Sequence, residues 1–154
     1  MDKVKIRKTR LIGLSLQKPT SNTNGQSSID CKDLWEKFIN EKYIDTITGK
    51  ISEDIFGVYY KYEADSSKPF YYFVGCEVEK DVHIPHGLES ITIPEGIYLK
   101  INAKGKMPDC VIDAWKNIWA SDLPRTYQVD FEVYDKRSKD WNDAEVDVYL
   151  SIKS

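Results

Sequence analysis

A chain of 154 residues is sized for one domain, and 41% hydrophobic with 31% charged residues is a globular balance that needs no disulfide or metal to build a core. The net charge of −3 argues against a nucleic-acid partner, because the one basic cluster (Lys3, Lys5, Arg7, Lys8, Arg10) partly alternates with apolar residues as a solvated strand face would. No apolar run approaches the roughly 20 residues that cross a bilayer, and the charged N-terminus lacks a secretory stretch, so a cytoplasmic protein without membrane contact is expected.

Val4 to Leu16 reads as a strand closing at Lys18-Pro19, and the Ser/Thr/Asn/Gly segment to Ser27 as a loop. A helix follows, capped by Ser28 or Asp30, with Leu34, Trp35, Phe38 and Ile39 as its apolar stripe. After an irregular stretch with a turn at Thr48-Gly49, two strands are predicted near Ile55 to Glu63 and Phe70 to Glu79, joined by a turn with Ser66, Ser67 and Pro69. The loop HIPHGLE then leads to the turn Pro94-Glu95-Gly96 and a strand around Ile97 to Ala103. Pro108 suits the first turn of a second helix, on which Val111, Ile112, Trp115, Ile118 and Trp119 recur at helical spacing. Strands near Tyr127 to Tyr134 and Val146 to Ile152 close the chain.

The order strand, helix, strand, strand thus occurs twice, with an offset of about 80 residues that suits a duplicated half-domain rather than a solenoid. The expected fold is α+β: one domain over 1–154, in half-modules of about 1–80 and 81–154, with both helices on one face of a shared antiparallel sheet. A ligand groove is expected at the seam between halves. Ten Tyr, four Trp and five Phe are more aromatic surface than a core of this size needs, so part of it is expected to line that groove. Cys31, Cys76 and Cys110 are too scattered for a disulfide framework and read as idle thiols. His83 and His86, in a Pro-bearing loop without a third ligand, make a poor zinc site, and no metal or cofactor is expected.

The segments IPEGIYLKINAKG, DAWKNIWASDLP and DFEVYD, with IFGVYYKYE and FYYFVGCEVE before them, resemble the GyrI-like, or AraC-type, effector-binding domain family from Lys3 to Lys153. The resemblance implies a pseudo-two-fold fold with a central groove that senses small molecules, lipophilic cations among them. It places Glu132 as the groove carboxylate, Phe56 as a pocket aromatic where some relatives have Tyr, and Trp115 and Trp119 as rings edging the groove. No helix-turn-helix precedes the first strand, so the domain is expected to act alone or with a separate regulator or protein partner.

Alternation puts Asp130, Glu132 and Tyr134 on one strand face and Val129, Phe131 and Val133 on the other. The apolar face is expected beneath the helices, which sends Glu132 and Tyr134 to an open concave face. On the second strand Phe56 and Tyr60 share a side opposite Tyr59, and Tyr98 is out of phase with Ile97 and Leu99, so Phe56, Tyr60 and Tyr98 are expected in the groove. A carboxylate among rings either protonates or meets a cation, and each cation–π contact adds roughly 0.5 to 2 kcal/mol; a solvated Glu132, or one paired with Lys100, is the plainer reading. The favoured function is a small-molecule sensor or sequestering module. The alternatives are hydrolysis of strained electrophiles with Glu132 as general base, and a protein partner of DNA gyrase.

Overall fold

Residues 2–65 and 67–153 are described in the computed structural model, so Ser66 of the expected turn lies outside the described residues. Among them eight strands and two α-helices form in the order β1 (Asp2–Ile6), β2 (Thr9–Ser15), α1 (Gln26–Asn40), β3 (Ile55–Tyr60), β4 (Tyr71–Glu77), β5 (Glu89–Ile93), β6 (Gly96–Gly105), α2 (Asp109–Ala120), β7 (Arg125–Tyr134) and β8 (Ala144–Ile152). All strand pairs are antiparallel, in the sheet order β1-β6-β8-β7-β3-β4-β2-β5. The central six strands read as first, third, second, then second, third, first of two strand–helix–strand–strand units. The pseudo-two-fold therefore passes between β7 and β3, where Gly57 lies opposite Glu132.

Three local readings are corrected. The first long strand is two: Arg7 and Lys8 separate β1 from β2, which pair with β6 and with β4 and β5 near opposite ends of the sheet. β5 is a strand in what reads as loop, because its short ESITI has too few residues to show alternation; it earns its place by pairing with β2. Helix α1 starts ahead of Ser28 and Asp30, behind Gly25 at φ 71°, a left-handed geometry that suits glycine, and no side chain caps it.

Both helices lie on one face. The α1 stripe packs with Leu34 and Phe38 on Ile12, Tyr72, Val74 and Cys76 of β2 and β4. The α2 stripe packs with Val111, Trp115 and Ile118 on Leu99, Val146, Val148 and Leu150 of β6 and β8. Each helix thus covers its own half, leaving β3 and β7 beneath the seam.

The other face is buried at its centre too. Since β1 runs into β2 and β5 into β6 through two-residue links, the sheet curls to bring its ends together, and Leu11, Phe56, Val58, Phe73, Ile93, Tyr98 and Phe131 fill the inside of the curl. Burying all those side chains contributes on the order of 2 kcal/mol each. A hollow of about 310 Å3 remains there, between the region of the β1–β2 link (Lys5 and Ile6 of β1, Arg7, and Thr9 of β2) and Phe56, Phe131, Val133 and Tyr149. No helix of the described residues is long and apolar enough to cross a membrane.

Candidate functional site

The expectation for β7 is reversed by this second buried face. Val129, Phe131 and Val133 turn into the curl, and Asp130, Glu132 and Tyr134 point to the helix side, at the seam between α1 and α2. An apolar strand face marks burial but cannot say against which layer, and here both faces are covered.

Glu132 is 1% exposed and is held by three donors. Trp115 of α2 gives its indole Nε1–H to Oε2 at 2.5 Å, the Tyr59 hydroxyl donates to the same oxygen at 2.9 Å, and the Tyr134 hydroxyl donates to Oε1 at 2.7 Å. No lysine or arginine pairs with Glu132 among the described residues, and Lys100 reaches Asp147 instead, at 3.7 Å. Burial pushes the Glu132 carboxyl above its ordinary value of 4.5, opposed by the hydrogen bonds from Tyr134, Trp115 and Tyr59. Burial, reinforced by Glu132, pushes the hydroxyls of Tyr59, Tyr72 and Tyr134 and the thiol of Cys31 upward, so these neighbours keep their protons.

Aromatic rings enclose the carboxylate. Tyr59 stands edge-on to Trp115 at 5.0 Å, Trp35 of α1 meets Tyr134 at 4.8 Å, and the Trp35 Nε1–H donates to the Tyr72 hydroxyl at 2.6 Å. Above this layer, between the helices, opens a cleft of about 130 Å3. Tyr59 and Trp115 contribute to its lining, with Cys31, Ser27 and Ser28 from α1, Ile112 and Trp119 from α2, and Tyr62, Phe70 and Arg125. Glu132 is therefore one ring layer below the cleft, in contact with two of the side chains that wall it.

A second carboxylate shares the helix side. Asp130, fully buried, accepts from Arg125 Nη2 at 2.7 Å, from the Tyr62 hydroxyl at 2.6 Å and from the Ser151 backbone N–H at 3.0 Å. The two acids differ in kind: Asp130 is neutralised by an adjacent cation, while Glu132 is met by neutral donors alone.

Of the residues expected in the groove, the structure brings Glu132, Trp115 and Tyr134 together and puts Trp119, 45% exposed, on the cleft rim. Phe56, Tyr60 and Tyr98 do not share that side. Phe56 stacks near Phe131 at 6.0 Å inside the curl, Tyr98 meets Phe131 at 5.5 Å and gives its hydroxyl to the Pro94 carbonyl, and Tyr60 bonds Ser15. Sequence reasoning missed Tyr59, Tyr72, Tyr62, Cys31 and Arg125. Tyr59 was legible as the alternate of Phe56 once the face was chosen correctly. Tyr62 was not, because Lys61 at φ 51° breaks the alternation and turns Tyr62 to the Tyr59 side.

A curled sheet made of two copies of one strand–helix–strand–strand unit, with a ring-walled cleft at their seam, defines an effector-binding domain of GyrI-like fold. The family model for integron-associated effector binding proteins, Cass2, matches residues 4–152, and the chain belongs to that family. Among curated proteins it is similar to the putative transcriptional regulator protein YobU of Bacillus subtilis (strain 168), 31% identical over 104 residues that span 66% of this chain and 65% of YobU. Among solved structures, an integron cassette protein from the mobile metagenome of Vibrio cholerae matches with a TM-score of 0.70 and 24% identity, covering 99% of this chain and 95% of that one. SAV2435 bound to tetraphenylphosphonium matches with a TM-score of 0.75 and 14% identity, over 99% of this chain and 93% of that one. At these identities the two structures establish the shared fold.

Proposed function

We propose that the protein is a small-molecule receptor whose inter-helical cleft takes a lipophilic, aromatic cation, with Glu132 as the charge that selects it. The observation that carries this reading is a carboxylate 1% exposed, without a cationic partner among the described residues, whose donors Tyr59 and Trp115 are themselves walls of the cleft. Charge acts strongly across one ring layer in a low-dielectric interior. Hydrogen bonds from the Tyr59 hydroxyl and Trp115 indole to an anion also enrich the ring faces that a cation would meet. The binding of tetraphenylphosphonium by SAV2435, a protein of the same fold, supports this class of ligand. The relation to YobU supports a role in transcriptional regulation exerted by ligand occupancy.

The test is calorimetric titration of wild-type and Glu132→Gln protein with tetraphenylphosphonium and with tetraphenylmethane derivatives of matching shape. Loss of a buried charge partner is expected to weaken the cation by roughly 30-fold or more and to spare the neutral series. Equal losses for both series would remove electrostatics from the account. Recovery of a bound electrophile as its hydrolysis product, lost in Glu132→Gln, would move the protein to the enzymes instead.

A further inference from the structure

Five rings line the cleft as one unbroken arc. Trp119 meets Trp115 at 6.4 Å, Trp115 meets Tyr59 at 5.0 Å, Tyr59 meets Phe70 at 5.8 Å and Phe70 meets Tyr62 at 5.5 Å. The ring planes turn by 64° and 60° on the two sides of Tyr59, so the arc bends into a corner. Three of its members donate to a buried acid: Trp115 and Tyr59 to Glu132, and Tyr62 to Asp130. Enclosure by several rings is how quaternary ammonium groups are recognised. Arg125, the one charged side chain of the cleft lining among the described residues, is already neutralised by Asp130 at 2.7 Å.

Two limits define the head of a cation that enters. The first is size: the cleft's 130 Å3 is below the roughly 300 Å3 of pockets that enclose drug-sized ligands, and close to the roughly 150 Å3 of an apolar cavity that takes one benzene. The second is bonding. Glu132 is 1% exposed and both its oxygens are held by protein donors, so an N–H of a ligand does not reach it. A head that carries N–H groups gives up hydrogen bonds to water for a wall of rings, whereas a fully alkylated one has none to lose. Beyond the corner the rim is apolar and open, with Ile112 41% and Trp119 45% exposed.

We infer that the ligand carries a compact quaternary ammonium head, of trimethylammonium size, which sits against the Trp115–Tyr59–Phe70 corner while an apolar, aromatic tail runs out over Ile112 and Trp119. This inference rests on the cation reading and narrows it: Glu132 supplies the charge through the ring layer, and the small ring-walled cleft sets the size of the head and its lack of N–H groups. Tetraphenylphosphonium, with a phenyl on every side of its charge, is held nearer the mouth and binds less tightly than such a head.

The experiment titrates wild-type protein with three cations that share a 4-phenylbutyl tail and differ in the head: ammonium, trimethylammonium and tributylammonium. Hydrophobicity alone makes the tributyl head the tightest. The cleft makes the trimethyl head the tightest, by about tenfold over each of the others. Phe70→Leu, which removes one ring of the arc and no side-chain hydrogen bond, is expected to weaken the trimethyl probe roughly threefold. The wild-type series needs no variant to fold. A tributyl or primary ammonium head bound as tightly as the trimethyl one, with all three weakened in Glu132→Gln, overturns the inference and leaves the cation reading standing. Undiminished trimethyl binding in folded Phe70→Leu protein overturns it as well, and so does binding of tetraphenylphosphonium with none of the three. Binding of none of the four cations removes both readings.

Discussion

Glu132 accepts hydrogen bonds from Trp115, Tyr59 and Tyr134 and meets no positive side chain among the described residues, so its charge state is set by burial against three neutral donors. The balance leaves the carboxyl above 4.5 in the folded protein. A carboxyl that holds its proton more tightly folded than unfolded favours folding most below the unfolded pKa, and that contribution is lost as pH rises through the folded value. Cation binding runs the other way, since it needs the ionised form. Tetraphenylphosphonium affinity, titrated from about pH 4 to about pH 8, is therefore expected to fall on acidification with a midpoint above 4.5. The Glu132→Gln protein should give a flat profile. Tyr59, Tyr72, Tyr134 and Cys31, all held protonated, add no step in this range. A flat wild-type profile would mean that the cation meets some other charge.

The β3–β7 pair sets the spacing of the cage. Gly57 faces Glu132 across the pair, and a Cβ there would lie 2.3 Å from the Tyr72 hydroxyl and 3.2 Å from Glu132 Oε1. The Tyr72 hydroxyl cannot retreat freely, because Trp35 donates to it. Gly57→Ala is expected to cost about 1–3 kcal/mol in urea denaturation, the usual range for overpacking, and to weaken the cation by displacing the cage. An unchanged midpoint and affinity would show that the seam is looser than its distances imply. Backbone irregularity on the same strands explains which site residues alternation could reveal. Tyr59 keeps the regular phase of β3, whereas Lys61 at φ 51° resets it before Tyr62. On β7, Tyr127 at φ 57° lies within the register break between Arg125 and Asp130, which brings the two together as an ion pair. Neither conformation is signalled by residue type, since Lys and Tyr are not residues that favour positive φ.

At the scale of the molecule, one sheet separates two buried layers with different work. The curl interior holds Phe56, Tyr98 and Phe131 in a ring cluster, with Tyr149 stacked on Phe131 at 4.6 Å, while the helix face carries the acids and the cleft. Phe131→Ala is expected to lose about 3–5 kcal/mol of stability yet leave cation affinity in the folded protein within a few-fold of wild type. Glu132→Gln should change affinity far more than stability. Urea denaturation and titration of both variants separate the layers. Loss of cation binding in folded Phe131→Ala protein would transfer the site to the hollow beneath the β1–β2 link.

Hydrophobic periodicity and chain order by themselves determined the duplicated strand–helix–strand–strand plan and the helix stripes, because each is a local pattern of period two or 3.6, whereas Glu132 and Trp115 were marked by the family resemblance and Tyr59 and Tyr72 by neither. Only the tertiary structure decided which sheet face meets the helices. The β1–β2 and β5–β6 links curl the sheet until the centre of its second face is also buried, and an apolar strand face looks the same in sequence whichever buried layer it joins. That closure turns Glu132 toward the cleft between the helices and Phe56, Tyr60 and Tyr98 away from it.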